Sequence, residues 1–119
     1  MPSQQEQLRD RTKAFAVRIV RVFRALSYKA DAQVLGKQLL RCGTAVAANY
    51  RAACRARSKA EWVAKIGIVV EEADETVFWL EMLSDCDIVP SKKLASLLAE
   101  AHELSAIFTA SQFTARRSR

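Results

Sequence analysis

Residues 62–83 read WVAKIGIVVEEADETVFWLEML, and this stretch decides the fold of the chain. Apolar or small side chains recur there at steps of three and four, at Trp62, Ile66, Val69, Ala73, Thr76, Leu80 and Leu83. Such spacing lays one continuous stripe along an α-helix. Three further stretches carry the same pattern, and none alternates polar and apolar residues over a convincing length. The sequence therefore predicts an all-α protein.

Signals that start and stop helices divide the chain into four helices. We expect the first helix to run from about Gln7 to Leu26, and the second to follow Asp31, a residue type that caps helix N-termini well. Ser58 is followed three residues later by Glu61, which is a capping-box pattern. This pattern predicts that the third helix begins at Ser58.

Residues 87–91 form the strongest break in the sequence. Pro90 disfavours helix at the residue before it, and Ser91 is suited to cap the fourth helix. Linkers this short make consecutive helices antiparallel, which predicts an up-down-up-down antiparallel four-helix bundle. We expect a single domain over 1–119, with flexible ends at about 1–6 and 115–119.

Composition narrows the range of functions. The chain has 119 residues, a net charge of +6 and three cysteines, with no Cys-x-x-Cys pair and no apolar leader, which is typical of a cytoplasmic protein with reduced thiols. No apolar run approaches the ~20 residues of a membrane span. His102 is the single histidine and the glycines are isolated, so the sequence indicates no catalytic residue, metal site or cofactor. We expect a protein that is not an enzyme.

The third helix is also apolar on a side that points away from its stripe. At about 100° per residue, its outward side carries two aromatic residues, a methionine and an isoleucine. The plainer explanation is that this helix is the most enclosed of the four, since scattered surface apolar residues are ordinary. A grouped patch is typical of an interface, and we expect self-association through Ile68, Glu71, Glu75, Phe78, Trp79 and Met82.

Charges are sorted along the chain. Residues 1–60 carry 13 basic and 3 acidic residues, whereas residues 61–115 carry 3 basic and 10 acidic ones. Three interpretations remain open: ion pairs within a subunit, ion pairs in which Glu71 and Glu75 meet basic residues of a neighbouring subunit, and a nucleic-acid-binding surface on the first two helices. The candidate basic residues are Arg18, Arg21, Arg24, Arg41, Arg51, Arg55 and Arg57, followed by the Arg116-Arg117 tail.

The second helix is rich in small residues, which allow a neighbouring helix to approach closely. Asn49 falls on its expected inward stripe. A buried asparagine must find hydrogen-bond partners, and such residues often specify helix alignment at some cost in stability. We interpret Asn49 as a structural polar residue.

Residues 39–52 and 58–62 resemble the four-helix bundle family that is named after proteins encoded in 23S ribosomal RNA intervening sequences. The resemblance extends over residues 11–117. Its specific parts are Arg-x-x-x-x-Val-x-x-Asn in the second helix, Ser-Lys-x-Glu-aromatic at the start of the third, and the acidic turn at residues 72–75. Many members have Asn-Ile-Ala-Glu-Gly where this chain has Asn-Tyr-Arg-Ala-Ala at residues 49–53, so the chain resembles a divergent branch.

The resemblance implies a homopentamer of four-helix bundles around a central channel, with no established enzymatic activity. A similar fold serves as the accessory protein of diversity-generating retroelements, which implies a basic pentamer that engages nucleic acid and a reverse transcriptase. We therefore expect a non-enzymatic homo-oligomeric scaffold or interaction module. The alternative is a nucleic-acid-binding accessory protein that uses the first two helices. The expected partners are further copies of the chain and, in the alternative, RNA or DNA.

Overall fold

The computed structural model describes residues 1–117, and these form four α-helices joined by short turns. Their bounds are α1 Gln4–Ala25, α2 Ala30–Ala53, α3 Lys59–Asp85 and α4 Ser91–Arg117. Each helix packs against the next in the chain, and the α1–α4 contact that completes the bundle is the least extensive. The predicted all-α up-down bundle is confirmed. Residues 118–119, part of the C-terminal end expected to be flexible, lie outside the described residues.

The N-terminus of α3 has the predicted cap, whereas the other helices do not begin where the sequence predicted. Ser58 caps α3 as predicted, because its hydroxyl accepts a hydrogen bond of 3.1 Å from the backbone N–H of Glu61. The same contact joins Ser3 to Glu6 at 3.1 Å, so α1 begins three residues earlier than Gln7. This earlier start makes helical the residues just after Ser3, which were expected to belong to a flexible end.

Two predicted caps are wrong. Lys29, and not Asp31, is the N-cap residue of α2, and its side chain makes no capping hydrogen bond. The Asp31 carboxylate lies within the first turn, where it accepts a hydrogen bond of 2.8 Å from the N–H of Ala32. Ser91 is already the first residue of α4, and its hydroxyl lies 2.6 Å from that of Ser84 at the end of α3. α2 therefore begins one residue before Asp31, and α4 begins at Ser91 itself.

The core lies along the predicted stripes. Every residue of the α3 stripe is buried except Trp62, which is half-buried against the core. Tyr50 of α2 is the largest fully buried side chain, and its ring packs against Trp62 at 6.3 Å and against Phe108 of α4 at 5.0 Å between centroids. This aromatic cluster ties α2, α3 and α4 together. Burial raises the pKa of the Tyr50 hydroxyl, which therefore stays neutral.

Glycine sets the distance between α1 and α2. A Cβ atom added at Gly43 would lie 2.7 and 2.8 Å from the two Cγ atoms of Ile19, and one at Gly36 would overlap Leu26. Since the Ile19 side chain is β-branched and leaves no room for a Cβ atom at position 43, Gly43 lets α1 rest directly on the α2 backbone. The basic residues of α1 and α2 are thereby held side by side.

No helix within residues 1–117 has an apolar segment long enough to cross a bilayer.

Candidate interaction surfaces

Ion pairs within the chain join α2 to α3. The Arg41 guanidinium donates to Glu72 Oε2 at 3.0 Å and to Glu75 Oε2. Glu75 Oε2 also accepts a hydrogen bond of 3.3 Å from the indole N–H of Trp79. At this boundary the structure supports the intramolecular interpretation of the sorted charges, because Glu75 already has its cation within the same subunit.

The outward side of α3 is exposed at some of the predicted positions only. Phe78 is 49% exposed and Ile68 is 39% exposed. Trp79 and Met82 are half-buried; Trp79 packs against the core and its ring meets that of Phe78 edge-on at 4.8 Å between centroids. The expectation that Trp79 and Met82 project outward like Phe78 is therefore wrong, because α3 is enclosed on both sides by α2 and α4.

Val34 of α2 extends this patch and was missed by the sequence analysis. Its side chain is 62% exposed. Val34 lies seven residues before Arg41, and Met82 lies seven residues after Glu75, so the Arg41–Glu75 pair places Val34 level with Met82 on the antiparallel helices. We call Val34, Ile68, Phe78, Trp79 and Met82 the α2–α3 patch. Only the pairing of α2 with α3 could have revealed that Val34 belongs to it.

A second set of ion pairs joins α1 to α4. Arg11 donates to both carboxylate oxygens of Glu100, at 2.8 and 2.7 Å, and lies 2.9 Å from Glu103. These hydrogen bonds lower the pKa of Glu100 and raise that of Arg11. Arg18, one of the predicted basic residues, donates to the Ser96 hydroxyl of α4 at 3.0 Å. The α1–α4 boundary is therefore also neutralised within the subunit.

Basic residues remain together in a groove of about 550 Å³ between α1 and α2. We call it the basic groove. Its lining consists of Arg9, Asp10, Lys13, Thr44, Ala47, Ala48, Arg51 and Arg55. Arg51 and Arg55 were predicted, whereas Arg9 and Lys13 were missed, because their neighbours depend on which helices pack side by side.

The other predicted basic residues do not join this groove. Arg21 and Arg24 are exposed on the C-terminal half of α1, and Arg41 is paired with acidic residues of α3. Arg57 lies 3.8 Å from Glu61 at the start of α3. The seven arginines predicted as one basic surface are thus spread over several faces of the bundle.

Asn49 is half-buried and does not occupy the inward stripe of α2. Its amide donates to the carbonyl of Ala45 at 2.9 Å, one turn back in the same helix, while Tyr50 takes the inward position. The prediction that Asn49 lies on the buried stripe is wrong, because the stripe steps by four residues from Val46 to Tyr50. A role for Asn49 in helix alignment stays a prediction.

Groups with reactive chemistry are dispersed. Within residues 1–117 no three potential metal ligands come together. The thiols of Cys42, Cys54 and Cys86 are free, and burial raises the pKa of Cys42. His102 is exposed on α4.

The fold and its surfaces define an antiparallel four-helix bundle that presents an apolar patch on one face and a basic groove on another. The family model for the 23S rRNA-intervening sequence protein matches residues 4–110. The chain belongs to this family, which confirms the resemblance found in the sequence.

One similar solved structure is a protein with unknown function from the S23 ribosomal protein family of Bacteroides thetaiotaomicron VPI-5482. It shares 31% sequence identity with this chain, with a TM-score of 0.85. The match covers 92% of this chain and 98% of that one. No curated protein sequence matches the chain.

Proposed function

We propose that the protein acts as a non-catalytic homo-oligomeric scaffold whose subunits associate through the α2–α3 patch. The observation that carries this proposal is the exposure of Phe78, Ile68 and Val34 on one side of two neighbouring helices. Burying an exposed apolar side chain is worth about 25 cal/mol per Å² of apolar surface, so such a patch favours association. The occupant proposed is a second copy of the same chain, in the homopentamer that the family resemblance implies.

The acidic residues beside the patch would orient the contact. Glu71 is exposed and forms no ion pair within residues 1–117, whereas Glu75 is held by Arg41. Glu71 is therefore the residue of the predicted interface that has a carboxylate free for a cation of the neighbouring subunit. Such a pair at the edge of an interface adds specificity of register more than affinity.

A scaffold function also agrees with the chemistry of the side chains. The lone histidine is exposed on α4, and the raised pKa of the buried thiol Cys42 makes it a poor nucleophile. We place the protein in the cytoplasm, where free thiols such as those of Cys54 and Cys86 stay reduced.

The test replaces Phe78 by glutamate and measures mass in solution by sedimentation velocity. Phe78 is the better choice than Trp79, because the half-buried Trp79 ring also supports the core. Tyr28→Glu serves as the matched control, since Tyr28 is an aromatic residue 97% exposed in the turn between α1 and α2.

We expect the wild-type protein and Tyr28→Glu to sediment as the same oligomer and Phe78→Glu to sediment as smaller species. Thermal melting by circular dichroism verifies that Phe78→Glu keeps its helices. An unchanged oligomer in Phe78→Glu would show that the α2–α3 patch is not the interface.

A further inference from the structure

The basic groove collects four cations that no neighbouring acidic helix neutralises. Arg9 and Lys13 lie one turn apart on α1, whereas Arg51 lies in the last turn of α2 and Arg55 in the connection that follows α2. None of the four forms an ion pair with a carboxylate within residues 1–117, whereas ion pairs bridge α2 to α3 and α1 to α4. Four cations without an ion pair are therefore grouped at the α1–α2 contact.

The order of the helices explains this grouping. α1 carries six basic and two acidic residues and α2 carries three and one, and Gly43 of α2 brings the two helices directly together. Asp10 is the one acidic residue in the lining of the groove, so positive charge is in excess there. Like charges held side by side repel one another, and a ligand that carries several negative charges removes this repulsion.

We propose that the basic groove binds the phosphate backbone of single-stranded nucleic acid. The groove is open between its cations because Thr44, Ala47 and Ala48 have short side chains. From Thr44 to Arg51 its α2 side is about 10 Å long at 1.5 Å per residue, and Arg55 extends the basic lining beyond the end of α2, which accommodates consecutive phosphates of one strand. Because the axes of packed helices lie about 8–10 Å apart, the furrow along their contact follows a single strand better than a duplex.

The residue types in the groove restrict recognition to the backbone. Three of the four cations are arginines, whose guanidinium groups donate paired N–H bonds to phosphate oxygens. No aromatic side chain lines the groove within the described part of the chain, so the bases have no surface on which to stack. Binding should therefore weaken steeply with salt and depend little on base sequence. This proposal does not depend on self-association.

The experiment compares two double variants that remove the same charge. Arg51→Gln/Arg55→Gln removes two cations of the basic groove. Arg21→Gln/Arg24→Gln removes two exposed cations from the other half of α1. Fluorescence anisotropy measures the binding of labelled oligothymidylate and oligoadenylate, each of about 12 nucleotides, over a series of salt concentrations.

Each phosphate contact on a single strand contributes about 0.7 to the slope of log K against log salt concentration. Loss of two contacts should therefore weaken binding about 25-fold at about 0.1 M salt and reduce the slope by about 1.4. In the Arg21→Gln/Arg24→Gln control the slope should change by less than about a third of that amount. Oligothymidylate and oligoadenylate should bind with similar affinity. Arg51→Lys/Arg55→Lys should keep most of the affinity, and Asp10→Asn should bind more tightly because a repelling carboxylate is removed.

Equal weakening by the two double variants would overturn the proposal, because the attraction would then reflect overall charge. It would also be overturned if the wild-type protein failed to bind at low salt, or if a duplex bound more tightly than the strand. Tighter binding of poly-glutamate would assign the groove to an acidic protein. Light scattering and thermal melting of the same samples show whether any loss of binding comes from lost assembly or lost fold.

Discussion

The close contact between α1 and α2 predicts opposite effects for two glycine-to-alanine substitutions. In a helix interior, alanine is more favourable than glycine by about 1 kcal/mol. At Gly43 the new methyl group would lie 2.7 and 2.8 Å from the Cγ atoms of Ile19, a β-branched side chain with little freedom to rotate in a helix. At Gly67 it would meet only the amide end of Gln112, at 2.7 Å, which can swing away.

Overpacking a core contact of this kind costs about 1–3 kcal/mol, which exceeds the gain in helix propensity at Gly43. We expect Gly43→Ala to lower the free energy of unfolding by about 1 kcal/mol and Gly67→Ala to raise it by up to about 1 kcal/mol. For a chain of this length, each kcal/mol corresponds to roughly 4 °C in Tm.

Urea and thermal unfolding followed by circular dichroism measure both changes, at one protein concentration because association makes Tm concentration-dependent. A Gly43→Ala variant as stable as Gly67→Ala would refute the inferred closeness of α1 and α2.

Three further predictions concern single contacts. A thiol reagent should modify exposed Cys86 rapidly in the folded protein and Cys42 only on unfolding, since Cys42 is buried and its pKa is raised. Rapid labelling of Cys42 in a folded Cys86→Ser variant would contradict this prediction. The pKa of Glu100 is lowered by Arg11, so the stability from this pair is present above the ordinary glutamate pKa and is lost as pH falls through the lowered value. Glu100→Gln should therefore lower the free energy of unfolding by about 1 kcal/mol at neutral pH and reduce its dependence on pH in the acid range. An unchanged pH dependence would show that the Arg11–Glu100 pair does not cause it. Ser58→Ala should cost about 1 kcal/mol in urea unfolding through loss of the α3 cap, whereas Ser58→Gly should cost only a few tenths.

The sequence allowed the helical fold to be predicted because its signals are local. Apolar spacing in residues 62–83 and the Ser58 cap both act within a few turns of one helix. The failures are local as well: Asp31 and Ser91 have the right chemistry for caps, but α2 starts one residue before Asp31 and α4 starts at Ser91 itself. Cap preference alone does not determine which polar residue near a boundary comes last before the helix.

The interaction surfaces were predicted less completely because they depend on which helices are neighbours. Spacing along α3 identified Phe78 as outward, but Val34 belongs to the patch only through the pairing of α2 with α3. Likewise, Arg9 lines the basic groove only because α1 packs on α2. Arg41 is not a free cation, because it forms ion pairs with two carboxylates of α3. Charge counts along the chain do not contain this information.

Whether the α2–α3 patch is covered by a second copy is tested most directly by the mass of the unmodified protein in solution. Static light scattering over a dilution series from about 100 to about 1 µM spans the range in which a specific interface of micromolar affinity or better stays occupied. We predict a mass that is a fixed multiple of the 13.3 kDa subunit at the upper end of this range. A constant mass of 13.3 kDa throughout the series, with the helical content intact, would contradict the proposed scaffold.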